Sequence, residues 1–225
     1  RQAARRGPRA RAAAPDIRIV PLRPSRMKDM RRVLSGTWGS GCWCMHPRLN
    51  TKLARELPGP GSESERRKRA MAALAAKRRA PGLMAYMDGD PVGWVAIGPR
   101  PELVRIDASK ATPRVDDVGV WAIPCITVRP KARGQGIAVA LIRAAVDHAA
   151  EHGAPAVEAY PRAGDTRVHD DLAYIGTEAL FRKAGFRKIR SVQADLPRGW
   201  TPRVTMRVSC TSRTSRPPRA RSAST

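Results

Sequence analysis

A short segment rich in basic residues and glycine stands between an apolar run and a sequence typical of a helix. It reads "RPKARGQG" and spans residues 129–136. The free N–H groups and positive dipole end at the start of a helix attract anions. Gly134 and Gly136 would let the backbone approach an anion without a Cβ in the way. Three cations can add charge-assisted hydrogen bonds: Arg129, Lys131 and Arg133.

The spacing of these residues excludes two common phosphate-binding motifs. A P-loop ends in Gly-Lys-Ser/Thr, which this segment lacks, and the dinucleotide motif G-x-G-x-x-G fails because Val139 stands where its last glycine belongs. The pattern that fits is Arg-x-x-Gly-x-Ala, formed by Arg133, Gly136 and Ala138. The segment is therefore predicted to hold a phosphate group by a different loop geometry.

The elements around this loop alternate between strands and helices. Residues 118–128 predict a long buried strand, and 136–153 predict a helix with apolar residues four apart on one face. Pro124 interrupts the strand and fits either a bulged or splayed strand or a plain edge strand. This order indicates an α/β sandwich on a mixed sheet. Further elements are expected as strands at 17–23, 154–161 and 187–196, a hairpin at 82–100, and helices at 25–34, 62–80 and 176–186.

Together with the strand end "ITVRP" and the downstream "EALFRKAGFRKI", the loop motif resembles the GNAT superfamily of acetyl-CoA-dependent N-acetyltransferases over roughly residues 16–195. The resemblance implies an α/β fold with a central mixed, largely antiparallel β-sheet flanked by α-helices. It also implies transfer of the acetyl group of acetyl-CoA directly to a primary amine of an unidentified small-molecule or peptide acceptor. The alternative is a catalytically weak or inactive acyl-CoA-binding module that serves regulation or interaction.

The resemblance assigns roles to particular residues. The loop would hold the CoA pyrophosphate, the edge at Ile126 and Val128 would pair with the pantetheine arm, and the Ile126 N–H would polarise the thioester carbonyl like an oxyanion hole. The residues expected to bind the co-substrate are Ile126, Val128, Arg133, Gly134, Gln135, Gly136, Ile137, Ala138, Thr177 and Phe181. For Thr177, capping of the following helix is the simpler role.

The proton-transfer groups are less clear, because the family's usual acid is a Tyr and the matching position here is Phe181. Tyr174 is the nearest hydroxyl candidate, with packing of a loop Tyr as the alternative. The segment "GDTRVHDDLAY" supplies His169, or one of its aspartates, as a candidate base or ligand for a cationic acceptor. A solvated acidic loop is the alternative. Those aspartates are Asp165, Asp170 and Asp171.

The segment "GCWCMHPR" raises a metal alternative, since Cys42, Cys44 and His46 alternate in sequence. Three ligands without a second Cys or His pair make a weak zinc motif, and no metal is expected. Trp38, Trp43 and Met45 from this region either line the acceptor pocket or pack as core or lid residues. A structural role is favoured over a nucleophilic one for a further cysteine in the long strand, Cys125.

The net charge of +24 is unevenly distributed: segments 1–15 and 197–225 hold twelve arginines and no acidic residue, which accounts for half of it. We expect these two segments to be disordered basic tails around a GNAT domain at 16–196. Solvated tails without a specific role are the favoured interpretation, the alternative is electrostatic binding of nucleic acid, and no other part of the chain is expected to bind nucleic acid. Cysteine usage favours a reducing, cytoplasmic setting, and the sequence predicts neither a secretory signal nor a membrane partner. A homodimer is expected only by analogy with the fold.

Overall fold

The computed structural model describes residues 16–37, 39–164 and 174–210. One sheet of seven strands, in the order β1-β2-β3-β4-β5-β7-β6, forms the centre of the protein. β4 and β5 run parallel, and every other neighbouring pair is antiparallel. This mixed, mostly antiparallel sheet confirms the predicted fold class. The strands are β1 Ile17–Pro21, β2 Gly82–Met87, β3 Asp90–Pro99, β4 Trp121–Val128, β5 Ala156–Ala159, β6 Arg187–Arg190 and β7 Thr205–Ser209.

The helices flank this sheet, and the two long ones were expected from the sequence. They are α1 Met27–Leu34, α2 Gly39–Cys42, α3 Thr51–Arg55, α4 Glu63–Ala76, α5 Val104–Asp107, α6 Ile137–Glu151 and α7 Glu178–Lys183. A capping box starts α4, in which the Ser62 N–H donates to Glu65 Oε2 at 2.7 Å and the Glu65 N–H donates to Ser62 Oγ. Among the described helices, none has both the length and the apolar character required to cross a membrane.

Alternate side chains of the central strands enter two separate cores. Leu83 and Val95 pack in the core that contains α6, whereas Met84 and Trp94 pack in the core that contains α1 and α4. Both faces of β2 and β3 are therefore covered, so these strands are apolar throughout rather than alternating. β4 is covered in the same way, with Ile126 in the first core and Cys125 in the second.

Pro124 marks the place where the sheet opens. In the β3–β4 ladder, Ala96 pairs with Cys125 but Gly98 pairs with Ala122, so β4 carries an extra residue at this point. On its other side β4 pairs with β5 only from Trp121 to Ile123. Within the described part of the chain, no strand covers that edge from Pro124 onward. Because proline has no N–H to contribute to a ladder, this geometry favours the splayed-strand alternative.

The predicted boundary at residue 197 is wrong. β7 lies between β5 and β6 in the sheet, although its sequence falls in the segment expected to be a disordered tail. Met206 is 1% exposed, while its neighbour Arg207 forms ion pairs with Glu158 and Asp116. The alternation of apolar and polar residues in "VTMRVSC" is the strand signal, and the basic composition of the segment obscured it. The strand expected at 187–196 is also shorter, ending at Arg190.

The remaining tail residues, 1–15 and 211–225, lie outside the described residues. Binding of nucleic acid through them stays a prediction, as does pairing of two copies of the chain.

A buried ionic network ties the end of the sheet to α5. The Glu158 carboxylate is 1% exposed and accepts hydrogen bonds from Arg207 at 2.6 Å, Tyr160 at 2.5 Å and Arg100 at 3.3 Å. Arg100 also donates to Asp107 in α5 at 3.0 Å. The network thereby fixes α5 relative to β5 and β7.

We expect Glu158→Ala to lower the free energy of unfolding by about 3 kcal/mol, because it removes the buried carboxylate and leaves Arg100 and Arg207 with only their less buried partners, Asp107 and Asp116. Urea denaturation measures this. The matched control is Asp90→Ala, which removes an ion pair to Arg32 whose side chains are 54% and 71% exposed. That change should cost about 1 kcal/mol or less. Equal costs for the two variants would contradict the network's role.

Candidate active site

The open edge of β4 presents backbone N–H groups toward the splay. The Arg129 N–H donates to the Val92 carbonyl of β3 at 2.9 Å. Successive residues of a strand direct their N–H groups to alternate edges. The N–H groups of Val128 and Ile126 therefore point away from β3, toward the edge that β5 leaves uncovered. An extended ligand can hydrogen-bond there as an added strand.

The loop after β4 leads directly into the start of α6. A 3-10 turn at Pro130–Ala132 follows the strand, and Gly134 and Gly136 adopt left-handed φ values of 77° and 78°. Gly136 is the N-cap of α6, and no side-chain hydrogen bond caps this helix. The first hydrogen bond of the helix is donated by the Ala140 N–H to the Gly136 carbonyl at 3.0 Å. The earlier N–H groups at this end are therefore available to an anion.

The space around the loop also suits a phosphate group. A Cβ built on Gly134 or Gly136 would meet no atom within 4 Å, so the surface over both glycines is open. Arg133 and Gln135 are exposed beside them. Ile137 is 1% exposed and packs in the core with α6, so it offers only its backbone N–H. Together these features fit a pyrophosphate, as expected for acetyl-CoA.

A cavity of about 300 Å³ lies at the point where the sheet opens, with Pro124 in its wall. Segments that are far apart in sequence form it: the turn after α2, the α5 region, Tyr174 upstream of α7 and the segment before β7. The lining residues that bear on chemistry are His46, Arg105, Thr112, Pro124, Tyr174 and Arg203. Tyr174 was predicted as a site residue, whereas His46 and Arg203 were not expected in catalysis or binding.

Tyr174 and Arg203 contact each other in the cavity. Burial lowers the pKa of Arg203, while the nearby Tyr174 hydroxyl acts in the opposite direction. Tyr174 is half-buried and packs against the core that contains α1 and α4. Its hydroxyl is therefore held in a fixed position by packing and by a cation.

His46 contributes a neutral imidazole to the cavity. Burial lowers the pKa of His46, and the positive charges of Arg105, Arg67 and Arg203 lower it further. The ring is therefore uncharged at neutral pH and can accept a proton. From the sequence, His46 was considered only as a zinc ligand. The one sequence signal for a role of His46 in the cavity is that it lies in the segment expected to border the acceptor pocket.

Phe181 does not have the role that was expected for it. Its ring is 0% exposed and packs edge to face against Phe186, with centroids 5.2 Å apart. A ring without exposed surface offers nothing to a co-substrate, so the structure corrects its assignment as a binding residue. Thr177 caps α7 by accepting a hydrogen bond from the Leu180 N–H at 3.2 Å. Capping was the simpler of its two expected roles.

The cysteines pack in the core rather than around a metal. Cys44 Sγ lies 3.4 Å from Cys125 Sγ and accepts a hydrogen bond from Trp94. The contact with Cys125 and burial hold the pKa of the Cys44 thiol well above its usual value. Cys42 Sγ accepts a hydrogen bond from the backbone N–H of His46 at 3.4 Å. These bonds use the sulfur atoms within the protein and do not support a zinc site formed by Cys42, Cys44 and His46.

Among the described residues, one group brings potential metal ligands together. It comprises His148, Glu151 and His152 of α6, whose ligand atoms lie within 4.8 Å of one another. These residues do not line the cavity.

Two aromatic or sulfur-containing residues of the same region face the core instead of the cavity. Trp43 is 5% exposed and Met45 is 4% exposed, so packing is the alternative that the structure supports. Trp38 and the segment holding His169, Asp165, Asp170 and Asp171 lie outside the described residues. Participation of His169 in proton transfer stays a prediction.

An open strand edge, a glycine loop at a helix N-terminus and an adjoining cavity are the features that the resemblance to an acetyltransferase family predicts. A family model described as the acetyltransferase (GNAT) family matches residues 47–186, more than half of the chain. The protein therefore belongs to the GNAT acetyltransferase family. Membership confirms the resemblance seen in the sequence and the enzyme class, whose co-substrate is acetyl-CoA.

Solved structures agree with the fold at low sequence identity. An aminoglycoside acetyltransferase, AAC(6')-Ib in complex with coenzyme A, is 13% identical with a TM-score of 0.51, over 86% of this chain and 95% of that chain. A GNAT-family protein from Desulfovibrio desulfuricans is 16% identical with a TM-score of 0.50, over 87% and 99%.

A GCN5-related N-acetyltransferase from Kribbella flavida is 17% identical with a TM-score of 0.48, and the match covers 80% of this chain but 35% of that one. Comparison with curated proteins finds no match.

Proposed function

We propose that this protein transfers the acetyl group of acetyl-CoA to a primary amine bound in the 300 Å³ cavity. The observation that carries this proposal is the continuity of three features along β4. The phosphate-binding loop follows the strand, the uncovered edge lies along it, and the cavity begins at Pro124. A molecule with a pyrophosphate at one end and a thioester at the other can follow this path.

Acetyl-CoA would be held mainly by backbone groups. The N–H groups of Gly134 to Ala138 and the side chain of Arg133 would hold the pyrophosphate, and Ile126 and Val128 would pair with the pantetheine arm. The coenzyme A complex of the similar aminoglycoside acetyltransferase supports the ligand class. Bound acetyl-CoA supplies an activated acetyl thioester, and the Ile126 N–H would stabilise negative charge on its carbonyl oxygen.

The acceptor must lose a proton before it can attack. An alkylamine has a pKa of about 10 and is mostly protonated at neutral pH. His46 is the group in the cavity best suited to accept that proton, since its ring is neutral. The proton would pass directly or through one water molecule. His169 is a second candidate base from the sequence.

The leaving thiolate must gain a proton. Phe181 cannot donate one, and Tyr174 supplies a phenolic hydroxyl, more acidic than those of Ser or Thr, to the described wall of the cavity. The neighbouring Arg203 guanidinium would help to orient the Tyr174 hydroxyl toward the sulfur. We therefore propose Tyr174 as the acid in place of the family's usual residue.

The charge environment of His46 predicts a change in the pH profile. Burial and, after it, the charge of Arg105 lower the pKa of His46, so Arg105→Gln should raise that pKa part of the way toward its ordinary value of about 6.5. The acidic limb of kcat/KM should then move to higher pH. In the variant, His46 stays protonated and cannot act as a base at pH values where the wild-type ring is neutral. Steady-state rates across pH measure the shift. Arg32→Gln, an exposed change in α1, is the control, and an acidic limb that does not move in Arg105→Gln would contradict the role of His46.

The proposed activity is tested by thiol release from acetyl-CoA with a panel of primary amines. Amine-dependent release, with the acetylated product identified by mass spectrometry, is the expected result. The alternative is the acyl-CoA-binding module expected from the Phe181 substitution. It predicts acetyl-CoA binding by calorimetry without amine-dependent release, and that result would replace the proposed function.

A further inference from the structure

The cavity contains two guanidinium groups from separate elements. Arg105 belongs to α5, and its Nε donates to the Leu49 carbonyl at 2.6 Å, which leaves its terminal nitrogens free to turn toward the cavity. Arg203 precedes β7 and contacts Tyr174. The ionic network of Arg100, Asp107 and Glu158 fixes the position of α5, so Arg105 is carried by an anchored helix.

This concentration of positive charge has no counter-charge on the walls that the structure describes. None of the described lining residues is acidic. Burial and the charge of Arg162 lower the pKa of Arg203, and burial together with Arg105, Arg67 and Arg203 lowers that of His46. Both shifts report that a further positive charge is unfavourable in this cavity. An anion placed between the guanidinium groups would relieve that repulsion and gain charge-assisted hydrogen bonds.

We propose that the acceptor is a small amine that also carries a carboxylate, as an amino acid does, and that Arg105 and Arg203 bind the carboxylate while the amine faces His46 and Tyr174. Guanidinium groups match carboxylates in shape and bind them through paired hydrogen bonds. A volume of about 300 Å³ is at the lower end of the range for small-molecule sites. This inference rests on the proposed function for the identity of the reaction, and on the charges of the cavity for the class of acceptor.

Acceptor pairs that differ only in the carboxylate test the inference directly. Glycine with glycinamide, and phenylalanine with phenylalaninamide, are compared by thiol release. We expect the carboxylates to have a kcat/KM about 10- to 100-fold higher, the scale of one or two charge-assisted hydrogen bonds. Equal or better use of the amides, or preference for a diamine, would overturn the inference. Preference for aminomethylphosphonate over glycine would overturn the carboxylate assignment in favour of a phosphate-like group.

A variant of Arg105 separates recognition from general damage. Measured at a pH well above the pKa of His46, Arg105→Gln should raise the KM for the amino acid at least tenfold more than the KM for its amide, because only the carboxylate pairs with the guanidinium group. Arg105→Lys should restore part of the affinity. Arg32→Gln is the control for loss of one surface charge. An equal change in both KM values would assign Arg105 a structural role only and would count against the inference.

A binding measurement keeps the inference separate from the activity. N-acetylglycine, which cannot react, is added to the protein, and the His46 resonance is followed by NMR as the pH is changed. Binding of its carboxylate between the arginines should raise the His46 pKa, and N-acetylglycinamide should not. A rise without acetyl transfer to any amine would support the anion site and reject the proposed function. Transfer to amines without such a rise would support the function and reject the anion site.

Discussion

Replacing Gly136 by aspartate is expected to weaken acetyl-CoA binding by about 100-fold, or about 3 kcal/mol. Gly136 is the N-cap of α6, with a φ of 78° and open space where a Cβ would stand. A carboxylate there would occupy the anion site, accept the free N–H groups itself and repel the pyrophosphate. Calorimetric titration with acetyl-CoA measures the loss.

The matched control is Gly153→Asp, just after the other end of α6. Gly153 also has a left-handed φ, 80°, and open space at its Cβ, so it shares the backbone strain of the substitution. It should lower thermal stability without changing acetyl-CoA affinity. Arg133→Glu should weaken binding in the same direction as Gly136→Asp, whereas Arg143→Glu on the exposed side of α6 should not. Undiminished binding in both Gly136→Asp and Arg133→Glu would reject the loop assignment.

Tyr174→Phe is expected to lower kcat by about 100-fold, a typical contribution of a positioned acid. The variant retains the ring and its packing, so acetyl-CoA affinity should stay within about twofold, because the loop and the β4 edge carry that binding. Single-turnover thiol release separates the chemical step from product release. Tyr86→Phe is the control for loss of a buried phenol. Tyr86 lies in β2, and burial and the contact with Asp29 raise its pKa to about 12.

An unchanged kcat in Tyr174→Phe would show that water or another group protonates the thiolate. A loss of acetyl-CoA affinity equal to the loss of kcat would instead indicate that Tyr174 shapes the binding surface.

The conformation of the glycine loop between β4 and α6 could be predicted from the sequence because all of its determinants are local. Arg133, Gly134 and Gly136 are adjacent, and the apolar strand before them and the helix after them have clear patterns. Pro124 also signalled the irregularity of its strand. The open edge could be inferred from these residues together with the family resemblance.

The cavity could not be predicted in the same way, because it forms from segments more than a hundred residues apart. His46 and Arg203 meet only after β7 has paired beside β5. The arginine-rich composition of the C-terminal segment favoured a disordered tail over the strand β7. No periodic pattern in the sequence indicates that His46 and Tyr174 line the same cavity. Phe181 matches the position of the family acid in sequence, but only its burial shows that it belongs to the core.

A crystal structure of the protein with CoA tests the central claim most directly. We predict pyrophosphate oxygens about 3 Å from the N–H groups of Gly134 to Ala138, which is hydrogen-bond distance. The pantetheine arm should run along the β4 edge at Ile126 and Val128, with the sulfur at the cavity beside Tyr174. CoA bound elsewhere, or a sulfur outside the reach of both Tyr174 and His46, would contradict the account.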